Sequence, residues 1–115
     1  MADIRAQRCG DLADPVSRLT VAVVTCNEHS PQSLTDVIDA AKSVLAIAEL
    51  GSAGVDDADY IAWASGAPAT LERMIEAAEA KDTRAVWAAF SHPEFGLHRL
   101  GAACAGLPRW AAPGA

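Results

Sequence analysis

Cys26 and His29 stand three residues apart in "TCNEHSPQSL", with Glu28 between them. A thiolate and an imidazole at this spacing are zinc or transition-metal ligands, but a structural zinc site takes four ligands, usually as two such pairs. No second C-x-x-C, C-x-x-H or H-x-x-x-H occurs in the chain. His92, His98 and Cys104 could complete the set only if the first and last helices end side by side. A second constellation is Glu94 and His98, at i and i+4 on one helical face. The carboxylate-bridged di-iron pattern needs Glu-x-x-His twice and two further glutamates, and that pattern is missing. Cys104, in "GAACAG", lies six residues from His98, so the two do not share a helical face. The simpler reading makes Cys26 and Cys104 buried apolar thiols, residues 27–29 a helix-to-helix corner, and Glu94 a surface partner of Arg99. The alternative reading is a small-ligand or metal pocket built from Cys26, His29, His92, His98 and Cys104.

Other chemical signatures are missing. There is no G-x-S-x-G, no H-E-x-x-H and no phosphate-cradling glycine loop. "VDDADY" lacks the alternating spacing of a calcium loop and reads as negative charge at a helix N-terminus. No catalytic residue is assigned. No cofactor is expected, with haem or a transition metal as the alternative.

The elements that must position these residues read as helices. Asp14-Pro15 has the form of an N-cap followed by proline at the first helical position. Val16, Leu19, Val23 and Cys26 then share a stripe, predicting a helix over 14–28. The β-branched run over 19–26 also has strand character, but no second strand-like segment exists to pair with it. The second helix is expected over 31–50, with Leu34, Val37, Ile38, Ala41, Val44, Leu45 and Ala48 at i, i+3, i+4, i+7 spacing. Gly51 is placed to close it. A minor helix over 57–65 ends at Gly66, Pro68 opens a third over 68–80, and Asp82 caps a fourth over 83–106, interrupted or kinked at Pro93.

This pattern predicts an all-α, up-and-down four-helix bundle with a short extra helix between helices 2 and 3. Residues 1–13 are expected to be a flexible arm, with an extra helical turn as the alternative, 14–107 one domain, and 108–115 a loose tail.

The C-terminal stretch "AAEAKDTRAVWAAFSHPEFGLHRLGAACAG" resembles the alanine-rich third helix, turn and final helix of cytochrome c′-type four-helix bundles. The resemblance implies a bundle. In that family the final helix carries C-x-x-C-H, which anchors haem. Cys104 matches the first cysteine, but Leu107 and Pro108 stand at the second cysteine and the ligating histidine, so covalent haem attachment in the family's manner is not implied.

The bulk composition bounds the partners. The chain has 115 residues, 51% of them hydrophobic, and a net charge of −6. An acidic chain with scattered Lys and Arg lacks the basic patch that nucleic acid or an anionic membrane requires. "MADIRAQRCGDLADP" has no apolar signal core, and no window reaches transmembrane length. A cytoplasmic location with reduced thiols is therefore expected. Three cysteines are an odd number, which excludes a closed disulfide set. The functional expectation is a non-enzymatic protein–protein interaction or regulatory module, acting on a protein partner or as a homodimer. Ile47, Leu50, Trp63 and Trp110 are the candidate contact residues.

Overall fold

The computed structural model describes residues 4–25, 31–92, 95–105, 107 and 110, with the backbone alone for Pro31 and His98. Among these residues it is all-helical: α1 (Ile4–Thr25), α2 (Pro31–Ala48), α3 (Ala58–Glu79), α4 (Thr83–Phe90) and α5 (Leu97–Ala103). α1 packs on α2, α2 on α3, and α3 also carries α4 and α5.

α1 departs from expectation at its start. Residues from Ile4 onward are helical and run straight through Pro15, so the segment 1–13 is not a flexible arm where it is described. An interior proline removes a hydrogen bond and costs about 3 kcal/mol or more. Here the bond removed is the one to the carbonyl of Asp11, which lies on the exposed side of the helix, where water can serve it. In return Cys9 and Leu12 are fully buried, on the stripe that continues through Leu19 and Val23. Burying side chains of this size contributes about 1.5–3 kcal/mol each, so tertiary contact overrides the local stop. The β-branched run is helical to Thr25. Thr20 and Thr25 turn their hydroxyls back to the carbonyls of Val16 and Val21, both at 2.8 Å, as threonine does inside helices.

α2 follows the sequence pattern. Leu34, Val37, Ala41, Val44 and Ala48 are buried, and the helix closes with Gly51 N–H donating to the Ala48 carbonyl (3.0 Å) and Gly51 at φ +76°. The next helix begins at the N-cap Asp57, whose carboxylate accepts from Tyr60 N–H (2.9 Å).

α3 is one helix where the sequence predicts two, 57–65 and 68–80. It continues through Gly66 and Pro68. Gly66 is a close-approach residue and not a terminus: a Cβ there would lie 2.6 Å from the Phe95 ring. The end of α3 is a Schellman closure. Lys81 N–H donates to the Ala78 carbonyl (3.0 Å), Asp82 N–H to the Ala77 carbonyl (2.8 Å), and Lys81 takes the left-handed position at φ +60° that glycine usually fills. Asp82 then caps α4, accepting from Ala85 N–H at 3.1 Å.

The expected final helix over 83–106 is two helices. The corner between them is tight, with Gly96 N–H donating to the His92 carbonyl (2.9 Å). A Cβ on Gly96 would meet the carbonyl oxygens of His92 and Phe90 at 2.5 Å. The core runs the length of the molecule, with Leu12, Leu19, Val37, Val44, Tyr60, Trp63, Leu71, Met74, Val86 and Leu100 almost wholly enclosed.

Candidate functional site

The predicted ligand set is not assembled among the described residues. Cys26 and His29 lie outside them, as does Glu94, and the same holds for the His98 side chain. His92 is half-buried at the α4–α5 corner, where its Nδ1 accepts from Phe95 N–H (3.2 Å) and its ring stacks on Phe95 at 5.4 Å. That contact fixes the turn.

Cys104 is not a free thiol. It is bonded to Cys9 across 95 residues of sequence, with Cα atoms 5.8 Å apart and both residues fully buried. The expectation of reduced thiols is corrected here. Odd parity excludes the pairing of all three cysteines but leaves one bond allowed, and nothing in the sequence around Cys9 points to its partner 95 residues away. The cysteine that matches the first haem cysteine of cytochrome c′-type proteins is thus engaged with α1. Among the described residues no three His, Cys, Asp or Glu side chains come together as a metal-binding group.

Four polar contacts lie around the disulfide. Arg5 donates from Nε to the Ala103 carbonyl (2.8 Å) and from Nη2 to the Ala105 carbonyl (3.2 Å), capping the end of α5. The same guanidinium lies 3.5 Å from Asp57. Trp110 donates its indole N–H to the Cys9 carbonyl (2.7 Å). The contact candidate Trp110 is therefore half-buried against α1.

The other contact candidates divide. Trp63 is fully buried and is corrected from surface to core. Ile47 is half-buried against the core. Leu50 is 56% exposed. The exposed apolar residues that the sequence reading passed over are Val21 (61%), Val24 (68%), Ile61 and Trp87. Val21 and Val24 fall on the outer stripe of α1, with Ser17 and Arg18 one turn before them. An open groove of about 480 Å³ runs between α1 and α2 here, lined by Arg18, Val21 and Thr25 on one side and by Asp36 and Asp39 on the other. A second open groove of about 470 Å³ separates α3 from α4, with an alanine-rich floor and Arg73, Glu76, Asp82 and His92 along it. Trp87 stands outside that groove, stacked on Phe90 with ring centroids 5.7 Å apart.

One buried pair has unmet polar groups. The Tyr60 hydroxyl and the Trp63 indole N–H have no hydrogen-bond partner among the described residues. Burial pushes the Tyr60 phenol above its ordinary value, against the smaller opposing pull of the Arg8 charge. The neutral phenol is the form that this enclosed position favours.

No helix among the described residues is long and apolar enough to cross a membrane. Comparison with family models, curated proteins and solved structures gives no match to this chain.

Proposed function

We propose that this chain is a non-enzymatic helical contact module whose docking face is the outer side of α1 where it borders α2. The observation that carries the reading is the pair Val21 and Val24, 61% and 68% exposed beside a groove that holds Arg18, Asp36 and Asp39. Apolar side chains rimmed by charge are the composition of a contact surface. Leu50, also exposed, is a further contact residue in this reading. The partner is a protein or a second copy of the chain, and the net charge of −6 weighs against nucleic acid. The short connections between α1 and α2 and between α3 and α4 support an up-and-down order of the long helices.

The disulfide bears on where the module works. Such bonds persist in oxidising compartments and are rare in the cytosol. We therefore favour an oxidising compartment over the cytoplasmic location expected from the sequence.

Val21→Ser with Val24→Ser tests the contact face. Sedimentation of the wild type should show self-association, or a pull-down should retain a partner, and the double variant should lose either one while keeping its helix content. A monomeric wild type with no retained partner, or a variant that associates unchanged, contradicts the reading.

A further inference from the structure

We infer that α5, with Cys104 and Trp110, is a redox-latched flap: cleavage of the Cys9–Cys104 bond undocks it from α1 while α1, α2 and α3 stay folded. Besides the apolar packing of Leu97, Leu100 and Ala103, four covalent or polar attachments hold this segment to the first and third helices. They are the disulfide, the Arg5 bonds to the Ala103 and Ala105 carbonyls, the Trp110 bond to the Cys9 carbonyl, and the Arg99–Asp59 ion pair at 3.1 Å. Only the first is covalent. The ion pair joins a partly exposed arginine to a largely exposed aspartate, and such pairs hold weakly. α5 has seven residues, well below the roughly 12–15 at which an isolated helix begins to persist in water. Its helicity therefore depends on its docking.

The rest of the molecule does not share that dependence. α1 packs along α2 and α2 along α3, over a core that includes Val37, Val44, Leu71 and Met74, all distant in sequence from Cys9 and Cys104. Undocking uncovers Leu97 and Leu100, both buried in the closed form, together with the part of α3 on which α5 rests.

The chemistry is thiol–disulfide exchange with a dithiol reductant. A thiolate of the reductant attacks one of the two sulfurs, the bond between Cys9 and Cys104 breaks, and a mixed disulfide forms. The second reductant thiol resolves it. Cys9 and Cys104 gain two electrons and two protons, and the reductant leaves as a disulfide. Both cysteines are fully buried, so attack requires a local opening of the flap. The Trp110 indole, bonded to the carbonyl of Cys9 itself, restrains that opening. This inference stands independently of the α1–α2 contact face.

Residue-resolved amide hydrogen exchange, with and without dithiothreitol, tests it. In the reduced chain the amides of Leu100 and Cys104, which bond within α5 and its cap, should exchange at least about tenfold faster, while those of Val44, Leu71 and Met74 change by less than about threefold. Cys9→Ser with Cys104→Ser should reproduce the reduced pattern without reductant. Trp110→Ala should speed reduction of the bond by about tenfold. Unchanged protection of α5 after reduction overturns the flap. So does a simultaneous loss of protection throughout α1, α2 and α3, which would make the bond a staple of the whole fold.

Discussion

Along α1, the first half meets the end of the chain through a disulfide and its surrounding polar contacts, whereas the second half packs on α2 and turns Val21 and Val24 to solvent. The first half is closed and tied by a bond that redox chemistry can break. The second is open and held by apolar packing. The same helix therefore combines a part that a covalent link ties to the end of the chain with a part whose outer surface is available for contact. Mutations in the first half should change stability strongly, and those on the outer stripe of the second half should change association while leaving stability nearly intact.

The largest effect is expected at the closed end. Cys9→Ala with Cys104→Ala should lower unfolding stability by about 2–5 kcal/mol, since the bond closes a long loop in the unfolded chain. Urea titration of the oxidised wild type and the variant measures the difference, and equal midpoints would remove the contrast between the two halves. Gly66→Ala comes next. The new Cβ would press into the Phe95 ring and should cost about 1–3 kcal/mol through overpacking, read from the same titration. Tyr60→Phe should be neutral or stabilising by about 1 kcal/mol, because it removes a buried hydroxyl without a partner.

The Tyr60 variant also sharpens the pH dependence. The folded-state phenol value is raised by burial, so the unfolded chain releases its proton first. Stability is then fully present below the unfolded value of about 10 and is lost as pH rises from there toward the folded value. Wild-type stability should fall above about pH 10, and Tyr60→Phe should flatten that part of the fall. At the open end, Val21→Ser with Val24→Ser should shift stability by no more than about 0.5 kcal/mol, the smallest change of the set, while abolishing association. A large stability loss there would show that these valines belong to the core.

What the sequence made legible follows from how local each signal is. The α2 stripe from Leu34 to Ala48 and its closure at Gly51 were readable because periodicity and cap lie within one segment. The starts and stops at Pro15, Gly66 and Pro68 misled for the same reason. Each is a sound local breaker, overridden by partners distant in the chain: Cys104 for the beginning of α1 and Phe95 for the middle of α3. Trp63 reads as a contact residue because it is a large apolar side chain off the main stripe of the short helix expected over 57–65. Within the long α3 it is fully enclosed. Val21 and Val24 lie in the β-branched run and off the stripe of Val16, Leu19 and Val23, and that periodicity does separate the buried Val23 from its two exposed neighbours. Of the candidate ligands, Cys26 and His29 fall outside the described residues. Cys104 was recognised as buried, but its bond to a partner 95 residues away leaves no mark on the sequence around it.

The covalent closure of α1 on the end of the chain is tested by the mass of the unfolded, non-reduced chain after treatment with an alkylating reagent. With Cys9 and Cys104 bonded and three cysteines in all, one added alkyl group is expected, on Cys26. Three added groups would show that the bond is not formed and would contradict the latched end of α1.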